Sequence, residues 1–409
     1  MRRSLSWVRI GAAIVVLGLV VFFIARAAAG SFPFSSSASK GSDSAGQSPA
    51  PPRPSTAPST TASSPASGSK PGLSLQQMAG QRVIFSYHGL NPPAGLLTLI
   101  EHGEVGGVIF FGHNISSLAQ ITKVISELEQ ANASPLNPVR SPLLLMTDQE
   151  GGIVRRMPGA PYLSERQIGE SADPAASATA AGTSAGLNLR GVGMTVNLAP
   201  VLDVYRQPGD FDDQFGRSYS MNPEVVGQLG ADFITAQQRT GVAATAKHFP
   251  GLGPAAKGQN TDKRPVTLNV SVTTIRNTDE VPYKAAIAAG VRLVMLSWAV
   301  YPALAPGRPA GLSRVIVDGE LRQRLGFNGV TVTDALEAGA LKKFGPIQNR
   351  ALLAAQSGMD LLLCSAQNFA EGEQASAALV QGYQDGRLGH PAFAGALKRV
   401  LALRASVGS

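Results

Sequence analysis

Eight short, β-branched apolar runs, each followed by an amphipathic stretch, constrain this chain more than any other feature it has. They are RVIFSY (82–87), VGGVIFF (105–111), PLLLM (142–146), VNLAPVLDV (196–204), GVAATAKHF (241–249), VRLVMLSWAV (291–300), GVTVTD (329–334) and MDLLLC (359–364). Helix-like segments lie between them, among them 116–133, 173–189, 223–239, 273–289, 314–325 and 346–357. SSLAQITKVISELEQA shows the polar start and the three-to-four spacing that a surface helix needs. Continuous apolar strands alternating with amphipathic helices make a parallel sheet covered on its outer face. Eight such units over about 330 residues predict an α/β fold, a (β/α)8 TIM-type barrel, over residues 73–409. An open dinucleotide-binding sheet lacks its GxGxxG turn here.

In such a barrel the active site sits where the strand C-termini meet their loops. His88, His113, Asp148, Asp203, Lys247 with His248, Trp298 and Asp334 each close an apolar run. A core position would not carry an acid or a Lys-His pair, because an unpaired buried charge is costly. These residues are therefore expected at the mouth, walled by the long loops 149–171, 205–221 and 250–271.

Asp334, in VTVTDALEAGAL, has two readings: a mouth carboxylate on the barrel axis, or the N-cap of a helix-like ALEAGAL. Asp148 holds the equivalent place in LLLMTDQEGGIVRR, where Gly151-Gly152 would turn the backbone and bring Arg155 or Arg156 back over the mouth. Arg217 adds a cation with Asp212 and Asp213 as possible partners. Carboxylates and cations converging on a concave mouth suit a polyol, which is held by dense charge-assisted hydrogen bonds. No cofactor is expected. The five histidines show neither HxH nor HExxH spacing, so no metal site is expected, and no GxSxG marks a serine hydrolase.

The net charge of +8 is mostly at one end. Arg2, Arg3, Arg9, Arg26, Lys40, Arg53 and Lys70 stand against Asp43 alone in residues 1–72, leaving the body nearly neutral and without a nucleic-acid footprint. Residues 10–25, IGAAIVVLGLVVFFIA, form an apolar run behind three arginines, which places the remainder outside the cytoplasm. A retained membrane anchor and a signal peptide cleaved near ARAAAG are both open within residues 1–30. Residues 31–72, rich in Ser, Pro and Ala, read as a disordered linker. The lone Cys364 reads as a buried thiol, and nothing demands an oligomer, so a monomer is expected.

TDQEGGIVRRM, VNLAPVLDV, GRSYSMNPEVVGQLGADFITAQQRTGVAATAKHFPGLG, LSRVIVDGELRQRLGFNGVTVTDALEAGAL and GMDLLL, in that order, resemble glycoside hydrolase family 3. Within it they are similar to the single-domain bacterial β-N-acetylglucosaminidases, over about residues 75–405. The resemblance implies a retaining glycosidase for β-linked N-acetylglucosamine-type sugars of cell-wall glycan or its fragments. A carboxylate attacks the anomeric carbon and water then releases the sugar. The matching nucleophile is Asp334, and the matching sugar-binding residues are Asp148, Arg156, Arg217, Lys247 and His248.

One motif departs. The single-domain branch reads KHFPGHG followed by Asp-Ser-His, whose histidine is the acid/base. Here Leu252 replaces the first histidine, and Asn260-Thr261-Asp262 stands where Asp-Ser-His would be. Trp298 and His113 also replace residues usual in the family, a histidine and an arginine. Three readings stay open: Asp262 serves as acid/base; only substrates with good leaving groups, or another acceptor, are used; or the barrel binds glycan without cleaving it. A loop folded inward with Asp262 near Asp334 favours the first.

Overall fold

The computed structural model describes residues 72–407; the apolar run and nearly all of the linker lie outside them. Eight parallel strands form the barrel: β1 (Val83–Phe85), β2 (Gly107–Ile109), β3 (Leu144–Thr147), β6 (Val196–Asn197), β7 (Ala243–Phe249), β8 (Leu293–Leu296), β9 (Val330–Thr333) and β10 (Leu362–Leu363). β1 pairs with both β2 and β10, and a parallel bridge from Val332 to Leu361 closes the ring between β9 and β10. Each strand lies within one of the eight apolar runs, except that β3 runs one residue past its own, to Thr147. β4 (Gln149–Gly151) and β5 (Val154–Arg155) form a separate antiparallel hairpin at the mouth.

The strands bury both faces, which is why their sequences are continuous rather than alternating. Inward residues, including Ile84, Ile109, Leu144, Met146, Val196, Leu293, Val330 and Leu363, fill the barrel. Val400 and Leu403 of the C-terminal helix (His390–Ser406), with Val407 just beyond it, join this inner cluster. The buried Arg404 of that helix donates to the carbonyls of Pro142 (2.8 Å) and Ser141 (2.7 Å), just ahead of β3. The helix therefore plugs the N-terminal end of the barrel and leaves the other end open. Outward residues such as Val83, Leu145, Ala244 and Val294 pack beneath the surrounding helices in a second, larger cluster.

The expected helices form close to their expected limits because their ends are capped. Ser117 caps Leu118–Asn132, Asp173 caps Pro174–Val192, and Asn222 caps Pro223–Gln238, the last two with proline in the first turn. Two expected helices are wider than α-helices: Ile275–Asp279 and Val315–Arg324 are π-helical, with Glu280 N–H bonding the Ile275 carbonyl. Cys364 is buried and unpaired.

ALEAGAL is not an α-helix. Residues 335–338 make a turn, and a 3-10 helix follows at Gly339–Phe344. The reason is a competing partner: Gly339 N–H bonds Asp262 O at 2.7 Å, and Ala340 N–H bonds Thr261 O at 2.9 Å. A Cβ on Gly339 would lie 2.2 Å from the Lys263 carbonyl oxygen, so only glycine permits this approach. Asp334 is accordingly no helix N-cap, and its Oδ1 accepts the N–H of the next residue, Ala335, at 2.7 Å.

Candidate active site

A cavity of about 500 Å3 opens at the C-terminal ends of the strands. Its wall is built from the three long loops, through Glu150, Val154 and Arg156; Phe211, Phe215 and Arg217; and Leu252 with Asn260, Thr261 and Asp262. All seven expected site residues, Asp148, Arg156, Arg217, Lys247, His248, Asp262 and Asp334, line it.

One side of the cavity is a chain of alternating charge. The Lys247 ammonium is 2% exposed and sits between Asp148 Oδ1 (2.8 Å) and Glu150 Oε1 (2.7 Å). Arg156 Nε lies 3.6 Å from Asp148, while Arg217 grips both oxygens of Glu150 (2.8 and 2.9 Å) and reaches Asp212 Oδ1 at 2.7 Å. Burial by itself would disfavour every one of these charges, but the partners win for the central ones. Arg217 and Lys247 hold Glu150 down at about 2, and Lys247 with Arg156 keeps Asp148 below the usual carboxylate range. Asp148 and Glu150 in turn raise Lys247.

Two local devices place this chain of charges. Gly151 and Gly152 take φ of +127° and +54°, turning the backbone so that Arg156 N–H returns to the Asp148 carbonyl at 3.1 Å. Arg156 is the arginine delivered to the mouth. Arg155 points away, donating to the Gly159 carbonyl (2.6 Å) and lying over the Tyr162 ring. In β7 the pairing register to β8 shifts between Ala246 and Phe249, so Lys247 and His248, adjacent in sequence, both reach the cavity instead of alternating.

His248 is oriented from behind. Its Nδ1 lies 2.7 Å from Asp203 Oδ2, while Asp203 Oδ1 accepts the N–H of Leu252 at 2.5 Å. That leaves Nε2 for the cavity. Burial lowers the imidazole and pushes the Asp203 carboxyl up to about 7, against the N–H groups of Leu252 and His248.

The other side carries acids. Asp334, at the end of β9, is pushed up to about 6 by burial and by the neighbouring Asp262, against the charges of His248 and Lys247. The loop bearing Asp262 packs against the mouth, with Asp262 itself exposed at the cavity rim. Leu252 and Ala255 are buried, Phe211 N–H bonds Ala255 O at 2.8 Å, and residues 261–262 are tied to 339–340 by the two bonds described above. A third carboxylate, Glu337, also lines the cavity and accepts from Ser365 Oγ at 2.6 Å. Glu371 stands behind it, pushed up to about 8 by burial and by Glu337.

Several expectations need correction. Of the strand-end residues, Trp298 and Asp203 do not face the cavity. Trp298 is fully buried, stacked beneath the site with its indole N–H on the Ala335 carbonyl at 2.8 Å, and Asp203 supports His248. His88 and His113 stack on each other at 5.4 Å, and His113 on Phe111, so only Phe111 of that group lines the cavity. Asp213 does not partner Arg217; it pairs with Arg166 at 3.1 Å. Glu150 and Glu337 went unread. The signal for Glu150 was its alternation with Asp148 in TDQEGG, but it sits in a stretch that reads as a turn. No metal was expected, yet Asp203, Asp212 and His248 bring three ligand-type atoms within 4.8 Å of one another. Asp203 and His248 are engaged with each other and Asp212 Oδ1 with Arg217, while Asp212 Oδ2 is buried without a hydrogen-bond partner.

A wall of paired charges facing a strand-end carboxylate agrees with comparison to known proteins. Residues 74–403 match the model of the glycosyl hydrolase family 3 N-terminal domain. The chain belongs to glycosyl hydrolase family 3. It is 46% identical over 338 residues to an uncharacterized secreted glycosyl hydrolase of Arthroderma benhamiae, spanning 82% of this chain and 95% of that protein. Among solved structures it is similar to a family 3 β-N-acetylglucosaminidase of Paenibacillus sp. str. FPU-7, at 34% identity and a TM-score of 0.77, covering 83% of this chain. The chain spans 64% of that protein's length. A β-N-acetylhexosaminidase of Beutenbergia cavernae matches at 31% identity and a TM-score of 0.73, over 81% of this chain and 99% of that one.

Proposed function

We propose that this family 3 member is a retaining glycosidase of the β-N-acetylhexosaminidase type, acting on terminal β-linked N-acetylglucosamine-type sugars. The single observation that carries the reading is the pairing of a saturated charge network with the acid-rich wall around Asp334 across one cavity. Asp148, Arg156, Lys247, His248 and Arg217 would hold the terminal sugar by its hydroxyls. Asp334 would attack the anomeric carbon, which forms the glycosyl–carboxylate bond and breaks the glycosidic bond. Asp262 would give its proton to the departing oxygen and then take one from the water that releases the sugar. Asp262 lines the cavity beside Asp334, which supports that role, although the residue itself is exposed. The 31% and 34% identical relatives support the choice of sugar.

The substrate in the cell would be peptidoglycan or its fragments, met outside the cytoplasm. Support for export comes from the arginine-led apolar run and from the secreted Arthroderma relative. Among the described residues no helix is long and apolar enough to cross a membrane; the candidate for an anchor is the apolar run of residues 10–25.

The test is turnover of an aryl N-acetyl-β-glucosaminide and an unactivated N-acetylglucosamine disaccharide by the full chain. The reading predicts release of N-acetylglucosamine with retained β-configuration from both. Turnover of neither, or inversion at the anomeric carbon, contradicts it.

A further inference from the structure

The opposite end of the barrel holds a second cavity, of about 510 Å3, that the glycosidase reading leaves unused. Arg82, Arg314, Arg322, Arg387 and Arg399 line it, with Asp318 the one carboxylate among its lining residues. Arg82 immediately precedes β1, and Met359 and Asp360 lie just ahead of β10, which places the cavity at the strands' N-terminal ends. That face of a barrel ordinarily serves stability. A purely structural cluster would balance its charges, and this one does not.

The buried carboxylate of Asp360 is shared by Arg322 (2.6 Å) and Arg399 (2.7 Å). Arg314 pairs with Asp318 at 2.9 Å and Arg387 with Asp385 at 2.6 Å, both on the exposed rim. Arg82 is 2% exposed, and its hydrogen-bond partners are neutral. It donates to the carbonyls of Asp360 (3.1 Å) and Met359 (2.8 Å) and lies 4.7 Å over the Phe393 ring. Burial accordingly lowers this guanidinium to about 10. Five guanidiniums against three carboxylates leave an excess of two positive charges around one enclosed space.

A second feature points the same way. The 17-residue helix His390–Ser406 starts at this cavity, with Pro391 and Ala392 in its wall, and no side chain caps its N-terminus. The N–H groups of His390 and Ala392, with Pro391 lacking one and that of Phe393 bonded to the Gly389 carbonyl, and the helix dipole favour an anion. Gly358, Gly389 and Gly395 line the same space without side chains, so a ligand can approach backbone.

We infer that this cavity binds the phosphate group of an anionic ligand, independently of the glycosidase site. Phosphate is favoured over carboxylate because planar guanidinium forks and an uncapped helix terminus together match three or four oxygens rather than two. The volume leaves room for a second phosphate or an attached polyol. The ligand is either a free phosphate or pyrophosphate, or a phosphodiester polymer of the kind built on glycerol.

The two sources are separated by titrating the full chain calorimetrically with inorganic pyrophosphate and with a poly(glycerol phosphate) oligomer. Each is run against wild type and Arg314→Gln/Arg387→Gln, whose substitutions sit on the exposed rim and should leave the melting temperature unchanged. Saturable binding of either probe, weakened at least roughly tenfold in the double variant and weakened by added salt, is the expected result. The probe that binds identifies the source. No saturable binding of either probe, or equal binding by wild type and variant, overturns the inference. Arg82→Met is a second check: binding should fall while the glycosidase cavity, at the other end, keeps its turnover.

Discussion

The two walls of the catalytic cavity are built on opposite electrostatic plans. On the wall formed by the end of β3, the β4–β5 hairpin, β7 and the 205–221 loop, charges alternate from Arg156 through Asp148, Lys247, Glu150 and Arg217 to Asp212, and every one has an opposite partner. On the wall formed after β9 and by the 250–266 loop, Asp334, Asp262 and Glu337 gather with no cation in salt-bridge contact among the described residues. The paired wall gains rigidity, because each buried charge fixes its neighbour. On the unpaired wall burial and the neighbouring Asp262 raise Asp334, the carboxylate that under the proposed mechanism would accept the sugar.

Breaking the unpaired wall should show first in rate. Asp334→Ala is expected to lower kcat/KM on aryl and disaccharide substrates alike, by on the order of 10⁴ or more, the scale of losing a catalytic nucleophile. Equal turnover by variant and wild type would remove Asp334 from the chemistry.

Breaking the paired wall should show in stability as well as in rate. Lys247→Met leaves Asp148 and Glu150 facing each other without the ammonium between them. A loss of about 3–5 kcal/mol in denaturant unfolding is expected. A loss under about 1 kcal/mol would mean the network is not the rigid element described here.

The same comparison has a pH signature. Asp334 holds its proton up to about pH 6 in the folded chain, against an ordinary value of 3.8. Between these two values the folded state binds a proton that the unfolded state has released, so this group's contribution to stability falls as pH rises through that window. Asp334→Asn should therefore be more stable than wild type at pH 7, by about 1–3 kcal/mol, and the difference should vanish below about pH 4. In wild type, kcat/KM should fall as pH drops below about 6, where the nucleophile takes up its proton. A thermal-melt series and a pH–rate profile check both; a variant less stable than wild type at pH 7 would refute the strain.

The smallest effect belongs to the support beneath Asp334. Trp298→Phe keeps most of the buried ring and loses the bond to the Ala335 carbonyl. About 1 kcal/mol of stability and a modest fall in kcat, with KM little changed, are expected. A larger change in KM than in kcat would place the indole in sugar binding instead.

The barrel was legible in the chain because a doubly buried parallel strand must be continuously apolar, and RVIFSY or MDLLLC have no other use. Asp148, Lys247, His248 and Asp334 were legible because they close such runs, whereas Arg156, Arg217 and Asp262 were read from their loops and from the family resemblance, and Asp203, which also closes a run, sits behind His248. Legibility stopped where tertiary partners decide. ALEAGAL has helical composition, but the 261–263 backbone takes the N–H groups of Gly339 and Ala340 first. Trp298 ends an apolar run as Asp334 does, and only packing on Gly311 shows that it points beneath the cavity. Glu150 is hidden because a hairpin, not a barrel strand, carries it to the mouth. The departure at Asn260-Thr261-Asp262 could be seen in the text, but its consequence depends on the loop folding inward.

The most direct test of the two-wall account is to trap the bond it predicts. Asp262→Ala should still attack an aryl N-acetyl-β-glucosaminide, whose leaving group needs little protonation. It should be slow to release the sugar, because the base for water is gone, and turnover of the unactivated disaccharide should fall by on the order of 10²–10⁴. Acid-quenched protein, digested and weighed by mass spectrometry, should then carry one N-acetylhexosaminyl group on the peptide containing Asp334. An adduct on any other residue, or none while Asp262→Ala matches wild type on both substrates, would contradict the division of labour between the walls.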